Sequence, residues 1–227
     1  MARKTYLSPD DHRRVIAAVS EIEARTSGEI VTVLAERSDG YSDVALCWAA
    51  AASLAALVAL AIAPDFHLGL YERLTGGWVT EWTPRAIFEV AALVAALKFA
   101  GMLLIQLWQP LKFFLVPGPI RTTRVHERAV SAFRIGAERR THGRTGILIY
   151  LSMREHRAEI LADASIASKV SPEVWGDAMI ALLAEVKQGR VADGMIAAVE
   201  RVGTVLEEHF PAGSGNPNEL PDRLIEV

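Results

Sequence analysis

The chain has 227 residues, with 24 basic and 27 acidic side chains and a formal net charge of −3. That balance argues against bulk binding to nucleic acid, which favours a strongly basic surface. Hydrophobic residues make up 51% of the chain, and the one cysteine, Cys47, excludes an internal disulfide and a cysteine-based zinc cluster.

The first stretch, MARKTYLSPDDHRRV, is charged and predicts no cleavable signal peptide. Ser8 is placed to cap a first helix, with Pro9 at its opening position and Asp10 and Asp11 at the positive end of the helix dipole. Val15, Ile16, Val19 and Ile22 share a face of that helix. After Gly28, EIVTVLAERS is almost continuously apolar from Ile30 to Leu34, the pattern of a strand buried on both faces. One helix and one strand cannot enclose a core, so residues 1–43 must complete their fold with residues further on.

Two apolar stretches hold the hydrophobic excess. Residues 44–63 carry no charge and stop at Pro64, and about 20 apolar residues are what a helix needs to cross a bilayer. Residues 86–108 match that length, with Glu89 near one end and Lys98 near the middle. Trp78, Trp82 and Trp108 fall where interfacial aromatic belts form. Residues 44–108 therefore read as a transmembrane helical hairpin.

Basic residues are frequent before the first span and after the second, whereas the connection has only Arg73 and Arg85. Both termini are thus expected on the cytoplasmic side of the inner membrane. Glu89 cannot neutralise Lys98, because nine residues at about 100° each place the two on opposite helix faces. Lys98 is expected to snorkel to a headgroup; the competing reading pairs it with an acid on another subunit or partner.

Residues 109–120 mix aromatics, prolines and a lysine and suit the membrane surface. From 121 to 141 a helical pattern returns, with Val125, Ala129, Ala132, Phe133 and Gly136 on one side and arginines on the other. Those arginines read as a solvated face or as contacts to anionic headgroups. GILIYLS, 146–152, predicts a central strand that rejoins EIVTVLA. RAEILAD, 157–163, alternates and predicts its half-exposed antiparallel neighbour. A helix follows from Ser171, Pro172 and Glu173, with Trp175, Ala178 and Leu182 inward and Gly189 as its terminal cap. A second runs from Arg190 to Phe210, with Met195, Ala198, Val199, Val202 and Leu206 inward. The tail, 211–227, ends on an apolar anchor, Leu224 and Ile225.

The segments RTGILIYLSMREHRAEILADASIASKV, Trp175, Gly189 with Arg190, and HFPAGSGNPNELPD, with EIEARTSGEIVTVLAERSDGYSDV upstream, resemble bacterial membrane proteins that contain a TPM domain. The resemblance covers nearly the whole chain. It implies an α/β fold, a Rossmann-like TPM-type sandwich made of residues 1–43 and 121–210, with the two-helix transmembrane hairpin inserted. TPM relatives have been linked to photosystem repair with weak phosphatase activity, to divalent-cation binding and to auxiliary modulation of a receptor, so the resemblance speaks to fold more than to function.

A phosphatase needs a nucleophile or metal-activated water, and groups that stabilise phosphoryl charge. Near strand ends lie Asp39, Asp43, Glu155, His156, Glu159 and Asp163, with Arg144 and Arg157 as possible anion partners. Asp163, Glu159 and His156 are the catalytic candidates. Asp39, Asp43 and Asp163 are the metal candidates, for a divalent cation such as calcium. SDGYSD is not an EF-hand loop and reads as a turn out of the strand. GRTG, 143–146, lacks the lysine and spacing of a phosphate-binding loop. His142 and His156 flank a strand, and no serine carries the local signature of a nucleophile elbow. The leading expectation is a membrane-anchored interaction, assembly or regulatory domain without a resident cofactor. Its partners would be the lipid bilayer and another membrane protein or a second copy, and not nucleic acid. The alternative is a weak divalent-cation-dependent phosphatase.

Overall fold

The computed structural model describes residues 6–77, 82–136, 145–171, 173–212 and 224–227. In chain order the elements are α1 (Pro9–Glu23), β1 (Glu29–Ala35), α2 (Ser42–Ile62), α3 (Pro64–Thr75), α4 (Pro84–Ile105), α5 (Gln109–Leu115), α6 (Gly118–Gly136), β2 (Gly146–Ser152), β3 (Arg157–Ala162), α7 (Ala164–Ala167), α8 (Val174–Val186), α9 (Val191–His209) and β4 (Leu224–Glu226). They form a mixed α/β fold of two compact units, Met1–Asp39 with Gly118–Val227, and Gly40–Pro117.

The first unit is built on a sheet of order β3-β2-β1-β4. The two apolar runs pair in parallel, from Glu29 opposite Gly146 to Ala35 opposite Ser152. All seven residues of each are buried, as near-continuous apolar strands require. β3 runs antiparallel to β2, with Ile147 opposite Ala162 and Ser152 opposite Arg157. Each residue of β3 is half-buried, because Ala158, Ile160 and Ala162 lean on one core and Leu161 on the other.

One face of the sheet carries the larger core, where Ile30, Leu34, Ile147, Ile149 and Leu151 meet Val15 and Val19 of α1, Leu182 of α8 and Met195, Val199 and Leu206 of α9. On the other face Val31, Val33, Leu148 and Tyr150 meet Val125, Ala129 and Phe133 of α6. Helix α1 opens with a full capping box, Ser8 and Asp11 each satisfying the other's backbone N–H. Helices α8 and α9 approach so closely that a Cβ on Gly194 would stand 2.7 Å from the carbonyl oxygen of Leu182.

Four elements go beyond the sequence reading, among them the short helices α5 and α7. The tail's Leu224 and Ile225 are part of a strand, β4, parallel to β1 through Thr32 opposite Leu224 and Leu34 opposite Glu226. The stretch after Pro64, read as a connection, holds helix α3. Pro64 and Asp65 suit its first turn, Arg73 its last, and Gly76 closes it at φ 75°. Trp78, His142, Arg144, Pro172, the expected helix beyond 136 and most of the tail lie outside the described residues.

In the second unit α2 and α4 run antiparallel. Ser53 Oγ donates to the Ala95 carbonyl at 3.1 Å, and Gln106 Nε2 donates to the Ala45 carbonyl at 3.1 Å. Both helices are long and apolar enough to cross a membrane. Helix α4 starts at the Thr83 cap and stops at Gln106, slightly earlier than the apolar composition suggests. Tyr41 enters α2 in the left-handed region, φ 50°, and its ring meets Phe113 of α5 edge-on at 5.6 Å.

Candidate functional site

Strands β1, β2 and β4 are mutually parallel around β1, so their carboxyl ends share one edge of the sheet, the edge at which open α/β sheets place ligands. Beyond that edge the chain turns sharply. Met153 N–H donates to the Ala35 carbonyl at 3.0 Å, Arg154 N–H to the Glu36 carbonyl at 3.0 Å, and Glu36 N–H to the Val227 carbonyl at 2.9 Å. Arg154 also pairs with Glu36 at 3.0 Å. The turn lets His156 adopt φ 51° and folds Glu155 back inward.

Glu155 is 2% exposed, and Tyr150 and Ser152 beside it are fully buried. Glu155 Oε1 accepts from Ser38 N–H at 2.9 Å, and Oε2 accepts from the Ser152 hydroxyl. Ser38 Oγ donates to Ser152 Oγ at 3.1 Å and lies 3.0 Å from the Tyr150 hydroxyl. A serine hydroxyl has one proton to give, so Tyr150 must be the donor to Ser38. The result is a directed chain from phenol through two serines to a buried carboxylate. Burial pushes the Tyr150 phenol above its ordinary pKa, against the pull of nearby Arg128. Satisfied networks of this kind rigidify their surroundings.

Tyr150 and Arg128 also border a cleft of about 180 Å³ beside α6, lined by Val31 and Val33 of β1, Ile225 and Val227, and Ala132 and Ile135 of α6. It exists because α6 packs on β2 and β3, so the β1 and β4 side of that face extends past the helix. Ile135 is 73% exposed at its rim.

The residues singled out from sequence separate across this frame. Asp163 sits at the opposite edge, where β2 begins. Its N–H donates to the Gly146 carbonyl at 2.9 Å, and its carboxylate accepts from Gly146 N–H at 3.0 Å, closing the β2–β3 ladder. Asp39 lies just past the carboxyl edge, 3.3 Å from Arg124. The length of the seven-residue strands, about 20 Å, separates the two aspartates, so one cation cannot take both. Asp43 belongs to the first turn of α2 in the other unit. Among the described residues, no three His, Cys, Asp or Glu side chains meet in a way that could hold a metal ion.

Glu159, in mid-strand, faces His126 of α6 at 3.5 Å. His156 is exposed in the turn, and Arg157 opens β3. In the second unit Glu89 accepts from Arg85 one turn away at 2.8 Å, and Lys98 borders a groove between α2, α3 and α4. Of the carboxyl-edge network only Glu155 stood out in the sequence. The serine and tyrosine partners sit inside or next to apolar runs, where a lone hydroxyl gives little signal.

No family model matches the chain, and no curated protein matches it. Among solved structures the chain is similar to the NMR structure of BA42 protein from the psychrophilic bacterium Bizionia argentinensis. The two are 17% identical, the match covers 100% of this chain and 99% of that one, and the TM-score is 0.57. At that identity the likeness speaks to the fold alone.

Proposed function

We propose that the chain is a membrane-anchored interaction domain. In this reading it is a TPM-type, Rossmann-like sandwich whose chain is interrupted by a transmembrane hairpin of α2 and α4. The α/β unit faces the cytoplasm from the inner membrane and binds a cytoplasmic segment of another membrane protein.

The membrane part is supported by where the apolar residues point. A core helix of a soluble protein buries its apolar surface, but only 11% and 6% of the apolar windows of α2 and α4 are buried. Leu54, Phe88, Leu97 and Leu104 are each more than 60% exposed. A water-exposed apolar surface of that extent is rare in soluble monomers, and each such side chain gains roughly 1.5–3 kcal/mol on leaving water. Neither helix lies at the N-terminus, where a signal sequence would be. The basic bias of the flanking segments supports the cytoplasmic orientation. Protease added to inverted vesicles should cleave the α/β unit and spare it in intact spheroplasts; the reverse pattern refutes that orientation.

The observation that carries the interaction reading is the cleft beside α6. It combines an apolar floor, Arg128 at the edge, and behind them the hydrogen-bonded network of the fully buried Tyr150, an apolar centre bordered by an arginine as interfaces have. A photo-crosslinking side chain at Ile135 or Val227 in intact cells should trap one discrete membrane protein. The same group at Ile180, an exposed apolar position on α8, should not. Equal adducts at all three positions, or none at the cleft, count against the site. The phosphatase reading has less behind it, since Asp39 and Asp163 stand at opposite edges of the sheet.

A further inference from the structure

We propose that the groove between α2, α3 and α4 holds an acyl chain of an anionic phospholipid whose phosphate pairs with Lys98, an inference that rests on α2 and α4 spanning the bilayer. The groove has a volume of about 540 Å³, within the range of roughly 300–1,000 Å³ that small-molecule sites occupy. It is left open because α2 presents Ala52, Ala56 and Ala59 to it, side chains too short to reach the facing helices. Val90 and Val94 of α4 continue the apolar wall. From Val90 to Lys98 is about 12 Å along the helix axis, so the groove is a long apolar slot with one cation at its end, a shape that suits an extended hydrocarbon chain with a charged headgroup.

Charge decides the headgroup. None of the residues lining the groove is acidic. Glu89 is engaged by Arg85 and Glu72 by the Trp82 indole, so among the described residues Lys98 has no carboxylate partner. A zwitterionic lipid offers a phosphate already balanced by its own cation, so placing it beside Lys98 leaves a net positive charge near hydrocarbon, which is costly; an anionic lipid neutralises it. Lys98 lies about 5 Å from the midpoint of α4, towards its C-terminal end. Its stem can therefore rise to the leaflet at that end, and the lipid chain runs inward from there along the groove.

The test uses the full chain in vesicles of phosphatidylcholine with a minor share of spin-labelled phosphatidylglycerol or phosphatidylcholine, reading the fraction of label immobilised by the protein. Wild type should hold phosphatidylglycerol about five-fold better, the effect of one basic side chain near anionic lipid. Lys98→Leu should abolish the preference and Lys98→Arg keep it. Ala56→Phe, which fills the groove with Lys98 intact, should reduce immobilised lipid of either kind. An unchanged preference in Lys98→Leu, or no preference in wild type, overturns the proposal. So does loss of a self-associated state in place of lipid in Lys98→Leu, since that assigns the lysine to a protein partner. Carbonate extraction of the same vesicles scores insertion separately: protein that resists extraction without lipid preference refutes the lipid site alone, and protein that is extracted refutes the membrane reading.

Discussion

Glu155 accepts from the half-buried Ser38 N–H through one oxygen and from the buried Ser152 hydroxyl through the other, and the two oxygens respond differently to substitution. Glu155→Ala leaves Ser38 N–H and the Ser152 hydroxyl facing a void, and should destabilise the α/β unit by about 2–3 kcal/mol. Glu155→Gln keeps one carbonyl acceptor and should cost about half as much in denaturant titrations of the full chain. Asp163→Ala should also destabilise, by about 1–2 kcal/mol, because it unpairs the first N–H of β2. Tyr150 adds a pH dependence. Its phenol holds its proton more tightly in the folded state than in the unfolded one. The corresponding stability is fully present below the unfolded tyrosine pKa and is lost as pH rises through the folded value. Alkaline unfolding should therefore be shallower in Tyr150→Phe than in wild type; identical alkaline limbs would remove Tyr150 from the explanation.

At the scale of elements, the glycine of α9 sets the spacing of two helices. Alanine at 194 would gain about 1 kcal/mol in helix propensity, yet its Cβ would press on backbone, the Leu182 carbonyl, which cannot rotate away. Overpacking of this kind costs roughly 1–3 kcal/mol. Gly194→Ala should thus lower the melting temperature, and a rise would mean that α8 and α9 slide freely. The elements themselves were unevenly legible. β1, β2 and β3 announce themselves through unbroken or alternating apolar residues, and α1 through Ser8 and Pro9. β4 has three residues, too few to display a period. α3 mixes Asp65, His67, Glu72 and Arg73 with Leu70 and Leu74, so it reads as a loop until its caps are seen. The carboxyl-edge network was hidden for another reason. Ser38 meets Tyr150 and Ser152 only through the parallel register of β1 on β2, a pairing between strands far apart in sequence that local spacing cannot reveal.

At the scale of the whole molecule, the α/β unit is assembled from two stretches of chain. Asp39, the last residue of the first, is 3.3 Å from Arg124, and Gly118, the first residue of the second, lies six residues earlier on α6, about 9 Å along its axis. A glycine-serine linker of about six residues can span that gap. A chain with Gly40–Pro117 replaced by such a linker should be soluble without detergent, with the α/β circular dichroism of a folded sheet; an insoluble or unfolded product would show that the sheet depends on the removed residues. The same discontinuity sets a timetable for synthesis. At about 5–20 residues per second, β2 leaves the ribosome some five to twenty seconds after β1, because about a hundred residues separate them. Throughout that interval IVTVLA, an apolar and β-branched stretch of the kind that stacks with its own copies, has no strand to pair with. Delivery of α2 to the bilayer while translation continues would tether each nascent β1 to its own place in the membrane and keep copies apart. If α2 and α4 span the bilayer, delayed targeting would lengthen the interval in which β1 stands unpaired, and the aggregated fraction of the protein should rise with that delay.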